Sequence, residues 1–147
     1  MTAGAMQFYD SFHERIADGG HDLDNDTFKG QLHTSTYTFD ATDAVKADLS
    51  NEVANANGYT TGGVTLTSVT WAQTSGVAVF DADALTWTAS GGSIVARGLV
   101  YLNDTSASDL LIGYVLLDNT PADVTVTAGN TLTLTPHASN GIFRLTG

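Results

Sequence analysis

Three aspartates at alternate positions form the pattern in this sequence that comes closest to a metal site. Asp22, Asp24 and Asp26 have the spacing of the first three ligands of a calcium-binding loop. Such a loop also requires a glycine at its sixth position and a bidentate acid at its twelfth, where this chain has Thr27 and His33. We therefore interpret the segment as an acidic, hydrogen-bonded turn and expect no bound metal.

Two further carboxylates have a spacing that would suit catalysis. Asp81 and Asp83 lie two residues apart at a predicted strand end, so they share one face, as the acid pair of a glycosidase might. No aromatic-lined sugar cleft can be inferred beside them, because Trp71 and Trp87 are most simply interpreted as core residues. A solvated turn is the simpler interpretation of this pair.

Other signatures of catalysis or cofactor binding are missing from the sequence. The chain has no GxSxG motif, no cysteine, no phosphate-binding loop and no GxGxxG sequence. The four histidines follow neither the HxH nor the HExxH spacing of metal-binding motifs; they are His13, His21, His33 and His137. We expect neither a cofactor nor an enzymatic activity.

The charge balance argues against two classes of partner. Five lysines and arginines face sixteen aspartates and glutamates, which gives a formal net charge of -11. Such a field repels nucleic acids and anionic membranes. No apolar stretch reaches the length of a membrane span, and the first residues do not resemble a secretory signal. We therefore expect neither a nucleic-acid nor a membrane partner.

The elements that would position any site are organised around residues 93–117. This segment holds two apolar runs, Ile94–Leu102 and Leu110–Leu117, joined by the polar sequence NDTSASD. Each run is too short to cross a membrane and too continuously apolar for a strand with one wet face. The pattern predicts two neighbouring strands buried on both faces, at the centre of a sheet that the rest of the chain covers.

An amphipathic helix is predicted over about residues 4–17, with Gly19 and Gly20 at its end. Its apolar residues recur at helical spacing and include three aromatic side chains. We expect this stripe to pack on its own domain. The alternative is docking on a neighbouring subunit, with an interface formed by Phe8, Tyr9, Phe12 and Ile16.

The remaining sequence alternates between strands and turns. Phe28–Thr36 predicts a half-exposed strand, and Asp40–Val53 indicates a short helix capped by Asp40. The sequence VTVTAGNTLTLT predicts a β-hairpin around Ala128–Asn130. A bulge or bend is expected at Thr67 and Ser68, and further strands are predicted at Val77–Phe80, Leu85–Thr88 and Ile142–Leu145.

The number and spacing of these elements predict the fold class. About eight strands and one helix, with turn signals every eight to twelve residues, are typical of an all-β sandwich or barrel. We expect a mainly β, single-domain fold: an antiparallel β-sandwich or jelly-roll-like barrel with an N-terminal α-helix. The helix or arm would occupy residues 1–20 and the β-sandwich domain residues 21–147.

A single charge interrupts the most apolar run of the chain. Arg97 lies within Ile94–Leu102, where an unpaired charge would cost several kcal/mol. We predict that its guanidinium reaches an acidic partner or the sheet edge, or crosses a subunit interface. The last possibility makes Arg97 a fifth candidate interface residue.

Several segments, taken together, resemble a known protein family. After the N-terminal helix come an acidic turn with a strand, an Asn-Glu-Val element and a series of strands: DLDNDTFKGQLHTSTYTF, SNEVANANGYTTGGVTL, FDADALTW, IVARGLVYLNDT, LLIGYVLLD and GIFRLTG. They are similar to the small β-rich head decoration, or cement, proteins of tailed bacteriophages. The resemblance runs from about Phe8 to Leu145, and its most specific motifs are NEVANANGYTTGG and the run from FDADALTW to ARGLVYLND.

The resemblance implies a protein that binds the outer surface of the assembled capsid lattice and stiffens the head. Its partners would be the major capsid protein and copies of itself, as a homotrimer at threefold positions of the lattice. It would be assembled in the host cytoplasm and remain on the virion, without a cofactor.

Two other functions remain open from the sequence. One is a tail, tail-tip or connector subunit of the same virion, which would form hexamers or dodecamers and so differ in native mass. The other is a carbohydrate-binding or hydrolytic β-sandwich, which would require Trp71 and Trp87 to be exposed on one concave face.

Overall fold

The computed structural model describes residues 2–147; Met1, the first residue of the predicted arm, lies outside the described residues. Within that range the chain forms one α-helix, one short 3-10 turn at Lys46–Asp48, and twelve strands. In chain order they are β1 (Gln7–Phe8), α1 (Asp10–Asp18), β2 (Phe28–His33), β3 (Val64–Thr65), β4 (Thr70–Thr74), β5 (Val77–Asp81), β6 (Leu85–Thr88), β7 (Ile94–Ala96), β8 (Gly98–Asn103), β9 (Leu110–Leu116), β10 (Val124–Val126), β11 (Thr131–Leu134) and β12 (Phe143–Thr146). The predicted mainly β fold with an N-terminal helix is confirmed.

The predicted pair of central strands is β8 and β9, in the middle of an antiparallel five-stranded sheet ordered β1-β9-β8-β2-β3. The β8–β9 ladder extends from Gly98 opposite Leu116 to Asn103 opposite Leu110. It contains one bulge, because Tyr101 pairs with Gly113 whereas Leu102 pairs with Leu111. Every residue of β8 is buried, as expected for a strand covered on both faces.

The two faces of this sheet contribute to two different hydrophobic cores. On one face, Leu99, Ile112 and Val115 belong to the larger core, which a second layer of strands covers. On the other face, Val100 and Tyr114 belong to a smaller core that lies beneath the loop of residues 34–53. The central sheet is therefore the shared wall between the two cores.

Three small antiparallel sheets make up the second layer: β12-β5-β4, β11-β6 and β10-β7. Phenylalanine rings join this layer to the central sheet. The ring centroid of Phe80 lies 5.0 Å from that of Phe143 and 5.1 Å from that of Phe28 on β2. Phe12 of α1 lies 5.3 Å from Phe143, so the helix contributes to the same core. Two layers that share one core agree with the β-sandwich prediction.

The predicted hairpin around Ala128–Asn130 is wrong, although both of its strands exist. Strand β10 pairs with β7 and β11 pairs with β6, so the two strands do not pair with each other. The turn between them is held by Ala89, whose N–H donates to the Asn130 carbonyl and whose carbonyl accepts from Gly129. The alternating pattern is compatible with either pairing. Partners about thirty to fifty residues away prevailed because the β11–β6 pairing buries Trp87 and Leu132 in the larger core.

The N-terminal helix is shorter than predicted. Residues 4–8 are extended rather than helical: Gly4 donates to the Leu116 carbonyl, and β1 pairs with β9. As an extended segment, these residues form backbone hydrogen bonds with the outer edge of β9. If they instead added a turn to the helix, the backbone N–H and C=O groups on that edge of β9 would have no partner. The helix begins at Asp10 and ends at Asp18, and Gly19, at the predicted end, caps it with a left-handed φ of 82°.

Two predictions for residues 28–53 are also wrong. Strand β2 ends at His33 and is almost wholly buried rather than half-exposed, because the following loop covers its second face. Residues 40–53 form this irregular loop, in which the only helical part is the 3-10 turn, instead of a helix. The apolar residues that suggested a helix are nevertheless partly or fully buried: Val45, Leu49 and Val53.

Arg97 interrupts the apolar run that was predicted to be one strand. The chain bends at Arg97, so β7 ends at Ala96 and joins a different sheet from β8. The guanidinium lies half-buried, with its Nε atom 2.7 Å from Asp123 Oδ1. Of the three outcomes predicted for Arg97, an acidic partner within its own chain is the one observed.

We predict that the aromatic core is the main source of stability in the second layer. Phe143→Ala removes a buried ring that contacts Phe80 and Phe12, and we expect it to lower the free energy of unfolding by about 3–5 kcal/mol. The matched control is Leu145→Ala on the same strand, where the side chain is 42% exposed and the expected loss is below about 1 kcal/mol. Equal losses in urea unfolding would contradict this packing.

Candidate docking face

The five cations of this chain are not equivalent. Four of them form ion pairs within the chain: Arg15 with Asp18 (3.0 Å), Lys29 with Asp104 (2.9 Å), Lys46 with Asp109 (3.2 Å) and Arg97 with Asp123 (2.7 Å). Arg144 is the fifth, and it is exposed and makes no ion pair with any described residue. It is therefore the cation most available to a partner.

Arg144 lies on an outward face formed by β4, β5 and β12. It pairs with Val79 of β5, which in turn pairs with Ala72 of β4, and directly paired residues share one face of a sheet. We call this surface the Arg144 face; the strand residues that form it are Thr70, Ala72, Thr74, Val77, Val79, Asp81, Arg144 and Thr146.

The Arg144 face carries little charge for a chain of net charge -11. Its strands contain one carboxylate, Asp81, whose Oδ1 accepts a hydrogen bond from the backbone N–H of Ala82 at 2.9 Å. Threonine and valine side chains make up most of the remainder. Such a surface can approach another protein without the repulsion that the acidic loops would cause.

The inner face of the same three strands fixes the Arg144 face in place. Trp71, Phe80 and Phe143 are cross-strand neighbours that point into the larger core, so the sheet is anchored along its middle. On its outer side, β4 has no paired strand among the described residues, and it carries no charged side chain. The face is thus a rigid surface bounded by an open sheet edge.

The candidate interface residues of the N-terminal segment lie against their own domain. Tyr9 is fully buried and its hydroxyl lies 2.7 Å from that of Tyr37. Phe12 is also buried, and it stacks on Phe8 with ring centroids 5.2 Å apart. Ile16 is partly buried against the larger core. This placement favours the interpretation that the stripe serves its own core.

The predicted acidic turn is present, and hydrogen bonds hold it closed. Asp22 accepts from the backbone and side chain of Asn25, and this bonding lowers the pKa of Asp22. Asp26 accepts from the backbone N–H of Asp22 and from buried Asn103. The carboxylates therefore face hydrogen-bond donors, and the described residues contain no group of three or more acids or histidines arranged to hold a metal.

The two carboxylates of the second acidic pair, Asp81 and Asp83, accept hydrogen bonds from different partners. Asp83 accepts hydrogen bonds from the hydroxyl groups of Ser68 (2.6 Å) and Thr67 (3.2 Å). These bonds join the loop that follows β5 to the loop that precedes β4. Asp81 instead bonds to its neighbouring backbone. Ser68 has a φ of 53°, which places the predicted bend of the chain at this residue. The pair contributes to turn structure.

Trp71 and Trp87 do not form a sugar-binding platform. Trp87 is buried in the larger core, and Trp71 is partly buried against the same core. The concave, exposed tryptophan face that the carbohydrate-binding alternative requires is therefore missing from the described residues.

Among residues 2–147, no helix has the length and apolar character to span a bilayer.

Sequence reasoning singled out Arg97 and overlooked Arg144. The signal for Arg144 is the alternation in the final strand, where an inward aromatic residue at Phe143 places the next side chain outward. Which cations would be neutralised within the chain depends on loops that meet only in the folded protein, as for Arg97 and Asp123.

No family model, curated protein or solved structure was found to match this chain.

Two buried histidines make the fold sensitive to acid. His33 is fully buried; its Nδ1 lies 2.8 Å from the Ser50 carbonyl and its Nε2 lies 3.1 Å from Gln31 Oε1. Burial lowers the pKa of His33, and it lowers that of His21 as well. The folded protein therefore binds these protons less tightly than the unfolded chain does.

We predict a loss of stability as the pH falls below the ordinary histidine pKa of about 6.5. The contribution of His33 is complete above that value and is lost as the pH falls toward the lowered pKa of the folded protein. His33→Gln should reduce the fall in unfolding free energy between about pH 7 and pH 5. Exposed His13→Gln is the control and should change nothing; identical pH profiles for both variants would contradict the assignment.

Proposed function

We propose that this chain is a non-catalytic structural protein of a tailed-bacteriophage virion. In this proposal it binds the outer surface of the assembled head through the Arg144 face and stabilises the capsid. The observation that carries the proposal is that Arg144, the one Lys or Arg without an ion pair among the described residues, is exposed on a charge-poor sheet face. The partner itself, the major capsid protein, is implied by the family resemblance.

The charge distribution supports a docking role for this face. A net charge of -11 disfavours unspecific contacts with other acidic surfaces. An exposed guanidinium can bind a carboxylate through two parallel hydrogen bonds, which selects both a partner and an orientation. Arg144 would thus give attraction at one face, while the acidic loops repel elsewhere.

The layered packing also suits a protein that stabilises a capsid lattice. The central sheet is covered on both sides by cores, and three ion pairs join segments that are distant in sequence: Lys29 with Asp104, Lys46 with Asp109 and Arg97 with Asp123. A protein that stiffens a lattice needs a surface that keeps its shape under load, and close-packed interiors resist compression. The resemblance implies that the docked form is a homotrimer.

We predict that reversing the charge of Arg144 weakens docking. The test is cosedimentation of the purified chain with empty heads that lack it, from the phage whose virion genes encode it. Arg144→Glu should weaken binding by at least about tenfold, because a charge pair would become a repulsion. Arg15→Glu is the matched control: it reverses another exposed arginine, one already paired with Asp18, and should bind as the unchanged chain does.

This experiment tests the capsid function and the docking face separately. If the unchanged chain does not bind the heads, the capsid function is wrong. If it binds, and Arg144→Glu binds equally well, the function stands and the docking face is elsewhere. Circular dichroism of both variants verifies that the fold is retained.

A further inference from the structure

A pocket separate from the Arg144 face lies between the N-terminal segment and the chain around residues 134–142. Its volume is about 350 Å³, which is at the lower end of the range of small-molecule sites, about 300–1,000 Å³. Apolar groups from four regions of the chain form most of its walls: Met6, Val115, Leu134, Pro136 and Ile142. We call it the arm pocket.

One buried phenol provides the arm pocket with an unused polar group. Tyr101 lines the pocket and is 4% exposed, yet its hydroxyl makes no hydrogen bond with any described residue. The hydroxyls of buried Tyr9 and Tyr59 have partners in Tyr37 and Glu52, whereas the hydroxyl of buried Tyr114, like that of Tyr101, has none among the described residues. The Tyr101 oxygen is not among the fully enclosed side-chain atoms that lack a partner, so it is accessible from the pocket and can donate a hydrogen bond to a ligand atom there.

A histidine at the mouth of the pocket provides a second donor. His137 Nδ1 accepts hydrogen bonds from the backbone N–H groups of Ser139 (3.1 Å) and Asn140 (3.2 Å). A neutral imidazole that accepts at Nδ1 carries its hydrogen on Nε2. His137 therefore has a free N–H to offer to a ligand in the arm pocket.

These groups define the chemistry of the ligand. The walls are mainly apolar and include no charged side chain, and the chain as a whole is strongly acidic, which disfavours an anion. Tyr101 and His137 can both donate a hydrogen bond, and the lining also includes Thr2 and Thr135, whose hydroxyls can donate as well. An uncharged, compact apolar molecule that carries one acceptor oxygen satisfies all of these conditions.

We propose that the arm pocket binds small uncharged ketones, or other apolar molecules with one acceptor oxygen, through Tyr101 and His137. The N-terminal segment forms one wall and is fastened to the sheet, where Gly4 donates to the Leu116 carbonyl and Asn119 donates to the Thr2 carbonyl. Ligand binding and the seating of this segment are therefore coupled. The proposal is independent of the virion function.

A pair of probe molecules with nearly the same shape tests this site. Acetophenone carries an acceptor carbonyl, whereas cumene carries an isopropyl group in its place. Titrated into the full chain and followed by amide chemical shifts, both should perturb residues around Met6, Val115 and Ile142. Tyr101→Phe should weaken acetophenone binding by about 3- to 10-fold and leave cumene binding unchanged.

Three outcomes overturn the assignment. They are no perturbation of the pocket residues by either probe at millimolar concentration, perturbations confined to another surface, and an unchanged acetophenone affinity in Tyr101→Phe. Ile142→Trp is a second variant, designed to fill the pocket and block both probes. Because Tyr101→Phe removes a single oxygen atom without a protein partner, it keeps the test decisive even if the larger substitution prevents folding.

Discussion

The antiparallel pairing of β8 with β9 is the contact on which the rest of this structure depends. Both strands are apolar on both faces, so burying them requires a layer on each side. The small sheets supply one layer and the loop of residues 34–53 supplies the other. The outer edge of β9 must also be paired, and residues 4–8 pair with it as an extended segment instead of extending the helix.

Much of this organisation can be predicted from the sequence, because local patterns encode burial. The apolar runs around residues 94–117 predicted the central pair, and Gly19 predicted the end of the helix. Partner choice between strands was not predictable in the same way. Alternating strands such as β10 and β11 satisfy several pairings equally well, and only the long-range core decides between them.

The candidate docking face could not be predicted from the sequence either. Composition gives five cations against sixteen acids, but it does not indicate which cations are neutralised within the chain. Arg97 was the conspicuous residue because it interrupts an apolar run, yet Asp123 already pairs with it. Arg144 stands out only once Lys29, Lys46 and Arg97 have met acidic partners that are distant in sequence, and Arg15 has paired with Asp18 in its own helix. The docking role we propose rests on that difference.

A cryo-electron microscopy map of phage heads incubated with the purified chain tests the proposed docking role most directly. We expect copies of the chain on the outside of the capsid, with β4, β5 and β12 facing the lattice. The Arg144 guanidinium should lie within about 4 Å of a capsid carboxylate. Copies whose Arg144 face points into solvent would contradict the assigned surface. Heads that carry no copies of the chain on their outer surface would contradict the proposed function.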